Sequence, residues 1–288
     1  MTEQLQAFWL DPRQILKVVV YTLLLVNFGI YFADDLHFAS FTMRDGGALL
    51  DWTAAFATTI DMAAWLTLLF LFELETYLLS DENLERAWVT RVLHGIRLVC
   101  YVSLAHSVYA FAIIYFDLTQ VGPVPDVTDL CALVAPDISF VRNLEYTDLT
   151  TANCATLSNA SQFYFAEPYL VLTDSSGLAL ETNLALIDFL EVIVWLLILL
   201  TIEVMVRLQD RGVTRGKLVT LIKGSKLIFY AALWLAAAYW FSLGHYHYAW
   251  DEALWILGFA AIEMNMREWK KEIEHEGKQG EGSFAAPG

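Results

Sequence analysis

Residues 183–206 read NLALIDFLEVIVWLLILLTIEVMV, and no other stretch indicates the class of protein so clearly. An α-helix crosses the hydrocarbon core of a bilayer with about 20 consecutive, mostly apolar residues. The run therefore predicts a transmembrane helix. Its polar positions are Asn183, Asp188, Glu191, Thr201 and Glu203.

Five further runs have the same character, and together the six predict a polytopic membrane protein. Backbone groups in lipid must find partners within the protein, and no run alternates as a barrel strand does, so each run predicts a helix. We predict an all-α fold, a bundle of six transmembrane helices. The predicted spans are Ile15–Phe32, Leu50–Leu79, Val92–Phe116, Asn183–Val206, Leu227–Leu243 and Ala249–Met266.

The basic residues predict the orientation of this bundle, because cytoplasmic loops are enriched in Lys and Arg. Only Arg44 and Arg142 fall on the opposite side, and Arg97 lies inside the third span. An even number of helices with both termini in the cytoplasm explains this segregation, and we predict a multi-pass protein of the cell inner (plasma) membrane. The residues on the predicted cytoplasmic side are Arg13, Lys17, Arg86, Arg91, Arg207, Arg211, Arg215, Lys217, Lys223, Lys226, Arg267, Lys270, Lys271 and Lys278.

The spans divide the chain into five predicted parts. A cytoplasmic N-terminus (1–14) is followed by helices 1–3 (15–117), an outer acidic loop domain (118–182), helices 4–6 (183–268) and a cytoplasmic tail (269–288). The tail is Gly-rich with little apolar content, and it is predicted to be disordered.

The predicted outer loop is acidic and contains two of the three cysteines. It holds eight carboxylates against the single base Arg142. A loop of this length without structure would be unusual. Thiols oxidise outside the cytoplasm, so Cys131 and Cys154 are predicted to form a disulfide that staples the loop. The alternative is two free thiols. Cys100, in the third span, is predicted to serve core packing.

Ionisable residues inside the spans are the strongest functional signal. Such residues are costly in a bilayer and usually face a bundle interior or a water path. Counting the helical rise from the span ends predicts a middle layer formed by Asp61, His106, Asp188 and Glu191. We predict that this layer is an ion or proton path. Structural pairing is the alternative, and His106 alone would more often be a hydrogen-bonded core residue.

A second group of charges lies near the cytoplasmic ends of the spans. Simple pairing is the favoured interpretation, with Arg97 bound to Glu73 or Glu203, because charges near a helix end can also reach the surface. Glu75 is predicted to point away from this group. The members of this inner charged cluster are Glu73, Arg97, Glu203, Lys226 and Glu263, the last pairing with Lys226.

The turn between the fifth and sixth spans combines histidines, carboxylates and aromatic residues. His245, His247, Asp251 and Glu252 are weak candidates for a Zn²⁺ or Cu²⁺ site. An interfacial belt, in which Tyr and Trp are expected, is the favoured interpretation. We therefore predict no metal centre. A bis-histidine haem has no second mid-membrane ligand beside His106, so no cofactor is predicted.

The composition and the absence of certain motifs reduce the number of possible functions. The formal charge of −16 argues against nucleic acid, which needs clustered Lys and Arg. The chain has no nucleophile elbow or zincin pattern, and we predict that it is not an enzyme. An ion channel or transporter for protons or small cations, in the lipid bilayer as a homo-oligomer or membrane complex, is the leading hypothesis. The alternatives are a non-catalytic subunit that docks a partner through its acidic outer loop, and a membrane redox or metal-binding protein.

Overall fold

The computed structural model describes residues 12–75, 79, 86–167, 170–211, 213 and 215–259. The chain forms two compact units, Phe28–Ala236 and Met1–Asn27 with Ala237–Gly288. The helices are α1 (Pro12–Thr42), α2 (Leu49–Ala55), α3 (Ala57–Glu73), α4 (Ala87–Gln120), α5 (Cys154–Leu157), α6 (Ser175–Asp210), α7 (Lys217–Ser242) and α8 (residues 246–259). The strands are β1 (Ser139–Arg142), β2 (Glu145–Asp148), β3 (Phe163–Glu167) and β4 (Val171–Asp174).

Four helices are long and apolar enough to cross a membrane, as is typical of an integral membrane protein. They span Gln14–Thr42, Ala87–Gln120, Ser175–Leu208 and Lys217–Ser242. The bent pair α2–α3 would be a fifth span if both helices cross together. The predicted count of six is not confirmed, because the sixth run, Ala249–Met266, extends beyond the described residues.

The predicted second span is broken at Phe56, where α2 and α3 meet at 71°. The carboxylate of Asp35 on α1 explains the break. Its Oδ2 accepts a hydrogen bond from the backbone N–H of Thr59 at 2.9 Å and so satisfies a donor in the first turn of α3. The ring of Phe32, one turn earlier on α1, contacts the ring of Phe56. The contacts from α1 therefore define the start of α3.

The predicted outer loop contains a four-stranded sheet, so the all-α prediction is wrong for this part of the chain. The strand order is β2-β1-β4-β3, with β1 antiparallel to β2, β3 antiparallel to β4, and β1 parallel to β4. Apolar side chains from the strands and the adjoining turns form a main core and a smaller cluster of Val141, Leu170 and Val171, which supply the burial that a small sheet needs. The buried members of the main core are Leu130, Phe140, Leu149, Cys154, Phe163 and Leu172. We call residues 121–174 the sheet domain.

The predicted disulfide between Cys131 and Cys154 is confirmed. Their Cα atoms lie 4.9 Å apart, and the link joins the 3-10 turn at Leu130–Leu133 to α5. Cys154 is almost fully buried in the core of the sheet domain, whereas Cys100 is a buried free thiol on α4.

Strand β4 continues directly into α6, which ties the sheet domain to a membrane helix. Asp174 acts as the N-cap, because its Oδ1 accepts the N–H of Gly177 at 2.7 Å and the hydroxyl of Ser176 at 2.6 Å. Burial alone would raise the pKa of Asp174, but these two hydrogen bonds and the nearby Arg142 lower it overall. The junction is therefore built around an ionised carboxylate.

Gly177→Ala is expected to destabilise this junction. A Cβ at position 177 would lie 2.2 Å from Oγ1 of Thr173, which is fully buried and donates to the carbonyl of Val141 at 2.9 Å. Overpacking of this kind costs about 1–3 kcal/mol of unfolding free energy. Thermal unfolding in detergent measures the loss. Gly95→Ala is the control, since nothing lies within 4 Å of a Cβ there. Equal melting temperatures for the two variants would contradict the prediction.

Candidate functional site

Helices α3, α4 and α6 pack side by side, with the sheet domain at one end. Helix α6 begins at β4, and α4 ends just before the sheet domain, so these two helices are antiparallel. The α3 N-terminus also lies at the sheet end, because Arg44, shortly before α2, pairs with Asp148 of β2 at 2.6 Å. Helices α3 and α6 therefore run in the same direction, away from the sheet.

A tryptophan pair aligns α3 with α6. The rings of Trp65 and Trp195 are both buried and meet edge to face, with centroids 6.2 Å apart. Residues four apart share a helix face. Asp61 precedes Trp65 by four residues and Glu191 precedes Trp195 by four. Asp61 and Glu191 thus lie at the same level of the two helices, one turn nearer the sheet than the tryptophans.

The surroundings of these carboxylates are partly closed to solvent. Asp61, Asp188 and Glu191 are all half-buried, and the Oδ1 atom of Asp61 is buried. Asp188 lies three residues before Glu191, about 4.5 Å further towards the sheet at the rise of an α-helix. The structure therefore places these three predicted residues within about one helical turn of the same level on α3 and α6.

His106 lies deeper than the other three predicted residues. Tyr115 of α4 stacks on Phe189 of α6 with centroids 6.3 Å apart, which fixes the relative level of the two antiparallel helices. His106 precedes Tyr115 by nine residues on α4. Because the two helices are antiparallel, it lies level with residue 198, nine residues after Phe189, and about 10 Å further from the sheet than Glu191. The four residues are thus not one layer. The Nε2 atom of His106 is buried and has no hydrogen-bond partner within the described part of the chain.

The inner charges pair differently from the prediction. Arg97 forms an ion pair with Glu75, not with Glu73 or Glu203, and Glu203 pairs with Arg207 one turn away at 2.8 Å. Glu75, two residues after the end of α3, was predicted to point away from this group, but its carboxylate reaches Arg97. Glu73 and Lys226 are half-buried on α3 and α7, and Glu263 lies outside the described residues.

The His-rich turn packs within its own unit. His245 meets the ring of Trp240 at 5.6 Å, and His247 lies 3.9 Å from Tyr248 between centroids. Asp251 accepts a hydrogen bond from Asn27 at 2.8 Å, and Glu252 is buried. No group of three or more His, Cys, Asp or Glu residues that could hold a metal ion occurs in the described ranges.

A group of ionisable residues at the junction of the sheet domain with the helices was not predicted. The ring of Tyr146 packs against Phe38 and Phe41 of α1, with centroids 5.5 and 5.4 Å away. Burial raises the pKa of Tyr146, and the charges of Glu167 and Glu181 raise it further. Burial, and to a smaller extent the charge of Asp117, also raises the pKa of Glu167 to about 7.

Glu181 belongs to this group through α6. It is buried, and its Oε1 accepts the N–H of Leu144 at 3.3 Å. Glu181 precedes Asp188 by seven residues, two helical turns on the same face. Glu181 would have been predicted from the sequence if the fourth predicted helix had been extended back to Ser175, where α6 begins.

No protein-family model, no curated protein and no solved structure matches the chain.

Proposed function

We propose that the chain conducts or transports protons or small cations across a membrane, with Asp61 and Glu191 as the central pair. The Trp65–Trp195 contact carries the proposal, because it aligns α3 and α6 so that the two carboxylates lie at the same level, one turn from the ring contact. Ionisable residues within membrane helices mark ion and proton pathways, and rings of Asp or Glu select cations.

The carboxylates on one face of α6 define the course of the proposed pathway along this helix. Glu181, Asp188 and Trp195 recur every seven residues and so share one face, and Glu191 lies between the last two. His106 lies about 10 Å deeper on α4, beyond the hydroxyl groups of Tyr109 and Ser107. A neutral imidazole both donates and accepts a proton, so His106 can pass a proton on towards the inner end.

The proposed arrangement has six spans, both termini in the cytoplasm, and the sheet domain outside an inner (plasma) membrane. The charges near the helix ends support it. Arg86 and Arg91 lie at the start of α4, and Arg207 and Lys217 flank the turn from α6 to α7. These positions are at the end of the helices that is opposite the sheet domain. Cytoplasmic loops carry such residues in excess.

Single cysteines test this orientation in a Cys100→Ala background that keeps the disulfide. Thr151→Cys, exposed in the sheet domain, is expected to react with an impermeant maleimide added to intact cells. Val213→Cys, exposed between α6 and α7, is expected to react only after the cells are opened. Labelling of both positions in intact cells would rule out the proposed topology.

Purified chain in lipid vesicles tests the transport proposal. The chain alone is expected to dissipate an imposed proton, Na⁺ or K⁺ gradient faster than protein-free vesicles do. If all three gradients decay at the rate of protein-free vesicles, the chain alone does not transport these cations.

A docking role is the second candidate, and the surface of the sheet domain favours it. Five of its carboxylates are exposed, and Arg142 is its one base. A surface of this charge suits a basic partner outside the membrane. Docking would be supported if vesicles that contain the chain show no cation flux and a basic protein co-purifies with the chain. The exposed carboxylates are Asp126, Asp129, Asp137, Glu145 and Asp148.

A further inference from the structure

The short helix α2 leaves its apolar side chains uncovered. None of its seven residues is buried, and Leu49 is 79% exposed. Leu49, Trp52 and the C-cap residue Phe56 recur at spacings of three and four, so they share one face. Asp51 lies on the opposite face, about 160° from Leu49. Its Oδ2 atom accepts the N–H of Ala48 at 2.7 Å, which holds the carboxylate at the start of the helix. Helix α2 is thus amphipathic.

The direction of α2 means that it contributes little to a membrane crossing. Seven residues form a helix about 10 Å long, and its axis is turned by 71° from that of α3. It therefore adds only about 3 Å along the α3 axis. Helix α3 has 17 residues and packs beside α4, and transmembrane helices have about 17–25 residues. Helix α3 can therefore cross alone, with α2 close to the plane of the membrane.

Contacts on both sides of α2 define its level. Arg44, shortly before α2, pairs with Asp148, so α2 lies at the end of the helices that carries the sheet domain. The ring of Trp52 stacks on Phe56 with centroids 6.3 Å apart, and Phe56 meets Phe32 of α1 at 6.1 Å. Phe32 is exposed on a helix that is long and apolar enough to cross a membrane. The aromatic row thus joins the apolar face of α2 to the surface that α1 would present to lipid.

We propose that α2 is an interfacial helix, which lies in the membrane leaflet nearest the sheet domain. Leu49 and Trp52 enter the upper acyl chains, and Asp51 stays among the headgroups. Amphipathic helices bury their apolar face about 5–10 Å into this boundary, and Trp is enriched there. The partner of this face is therefore the bilayer itself. The proposal rests on the proposed topology only in that α3 crosses the membrane, and it does not depend on cation transport.

Spin labels in lipid nanodiscs measure the depth of single positions. Cysteines are introduced into a Cys100→Ala background that keeps the disulfide. The label's collision rates with oxygen, which dissolves in lipid, and with a water-soluble nickel complex are then compared. The ratio of oxygen to nickel collisions is expected to be several-fold higher for Leu49→Cys than for Asp51→Cys. Phe70→Cys, exposed about 20 Å along α3 from its start, is the lipid reference, and Thr151→Cys, exposed in the sheet domain, is the water reference. We expect Leu49→Cys to lie between the two references.

The two references distinguish failure of this inference from failure of the topology. A ratio for Leu49→Cys equal to that of Thr151→Cys would place α2 in water, and slow collisions with both reagents would indicate a protein partner. A ratio equal to that of Phe70→Cys would make α2 part of a span. Each of these three results overturns the proposal. If Phe70→Cys itself reports water, α3 does not cross, and the assignment of this span fails together with the proposal.

The polar face of α2 has a second reporter. Asp51→Cys removes the carboxylate that holds the start of the helix, so this variant may unfold α2. Asp45→Cys, exposed in the turn before α2, then replaces it and is expected to match the water reference. A ratio for Asp45→Cys as high as that for Leu49→Cys would contradict an amphipathic helix at the interface.

Discussion

Asp61→Asn is expected to lower cation flux through reconstituted vesicles by at least tenfold. The amide has nearly the shape of the carboxylic acid, so packing beside Trp65 and Trp195 is kept. The amide, however, cannot carry the negative charge that attracts a cation, and it cannot release a proton as a proton relay requires. Flux is measured as the initial rate of gradient decay at equal protein density.

Two comparisons distinguish a loss of transport activity from a loss of structural stability in Asp61→Asn. Glu145→Gln removes an exposed carboxylate from the sheet domain and is expected to leave the flux unchanged. The unfolding free energy of Asp61→Asn is expected to stay within about 1 kcal/mol of wild type, since the change is nearly isosteric. Wild-type flux with clearly altered stability would instead assign Asp61 a structural role.

Replacing both Cys131 and Cys154 with Ala is expected to cost the sheet domain about 3 kcal/mol of unfolding free energy. The cross-link closes a loop with a sequence separation of 23, and the chain-entropy estimate for a loop of this length has that size. The domain is small, so the link contributes a large share of its stability. Limited proteolysis against urea concentration measures the loss.

The free thiol provides a matched comparison for the disulfide. Cys100→Ala removes a buried sulfur from α4 but no cross-link, and it is expected to leave the sheet domain as stable as wild type. A double variant that resists proteolysis as well as Cys100→Ala does would contradict the stabilising role of the disulfide.

The long apolar helices could be predicted from local sequence because each signal lies within its own run. Helices α4 and α6 contain the predicted third and fourth spans, and α7 contains the fifth except for Leu243. The predicted ends were less accurate, because α4 extends to Gln120 and α6 begins at Ser175 inside the predicted loop. The first turns of α6 contact the sheet domain, so these turns need not be apolar enough for lipid.

The sheet could not be predicted from the same signals. Its strands have only four or five residues, too few for alternation to stand out among the turn residues around them. The break at Phe56 also depends on a distant partner, since Asp35 precedes Thr59 by 24 residues. Both features arise from tertiary contacts.

The depths of the candidate residues illustrate the same limit. The type of each residue was predictable, but its level was counted from an assumed span end. The Tyr115–Phe189 stack sets the true offset between α4 and α6, and this offset separates His106 from Glu191. Glu75, two residues beyond the end of α3, was likewise not placed correctly by counting along a regular helix, and it is the partner of Arg97.

Flux through Asp61→Asn, Glu191→Gln and the double variant, measured side by side with wild type, tests the central pair most directly. If Asp61 and Glu191 act as one unit, each single substitution lowers the flux by a similar factor and the double variant is no worse than either, because groups that work together are not additive. Wild-type flux in both single variants would contradict a role for this pair in transport.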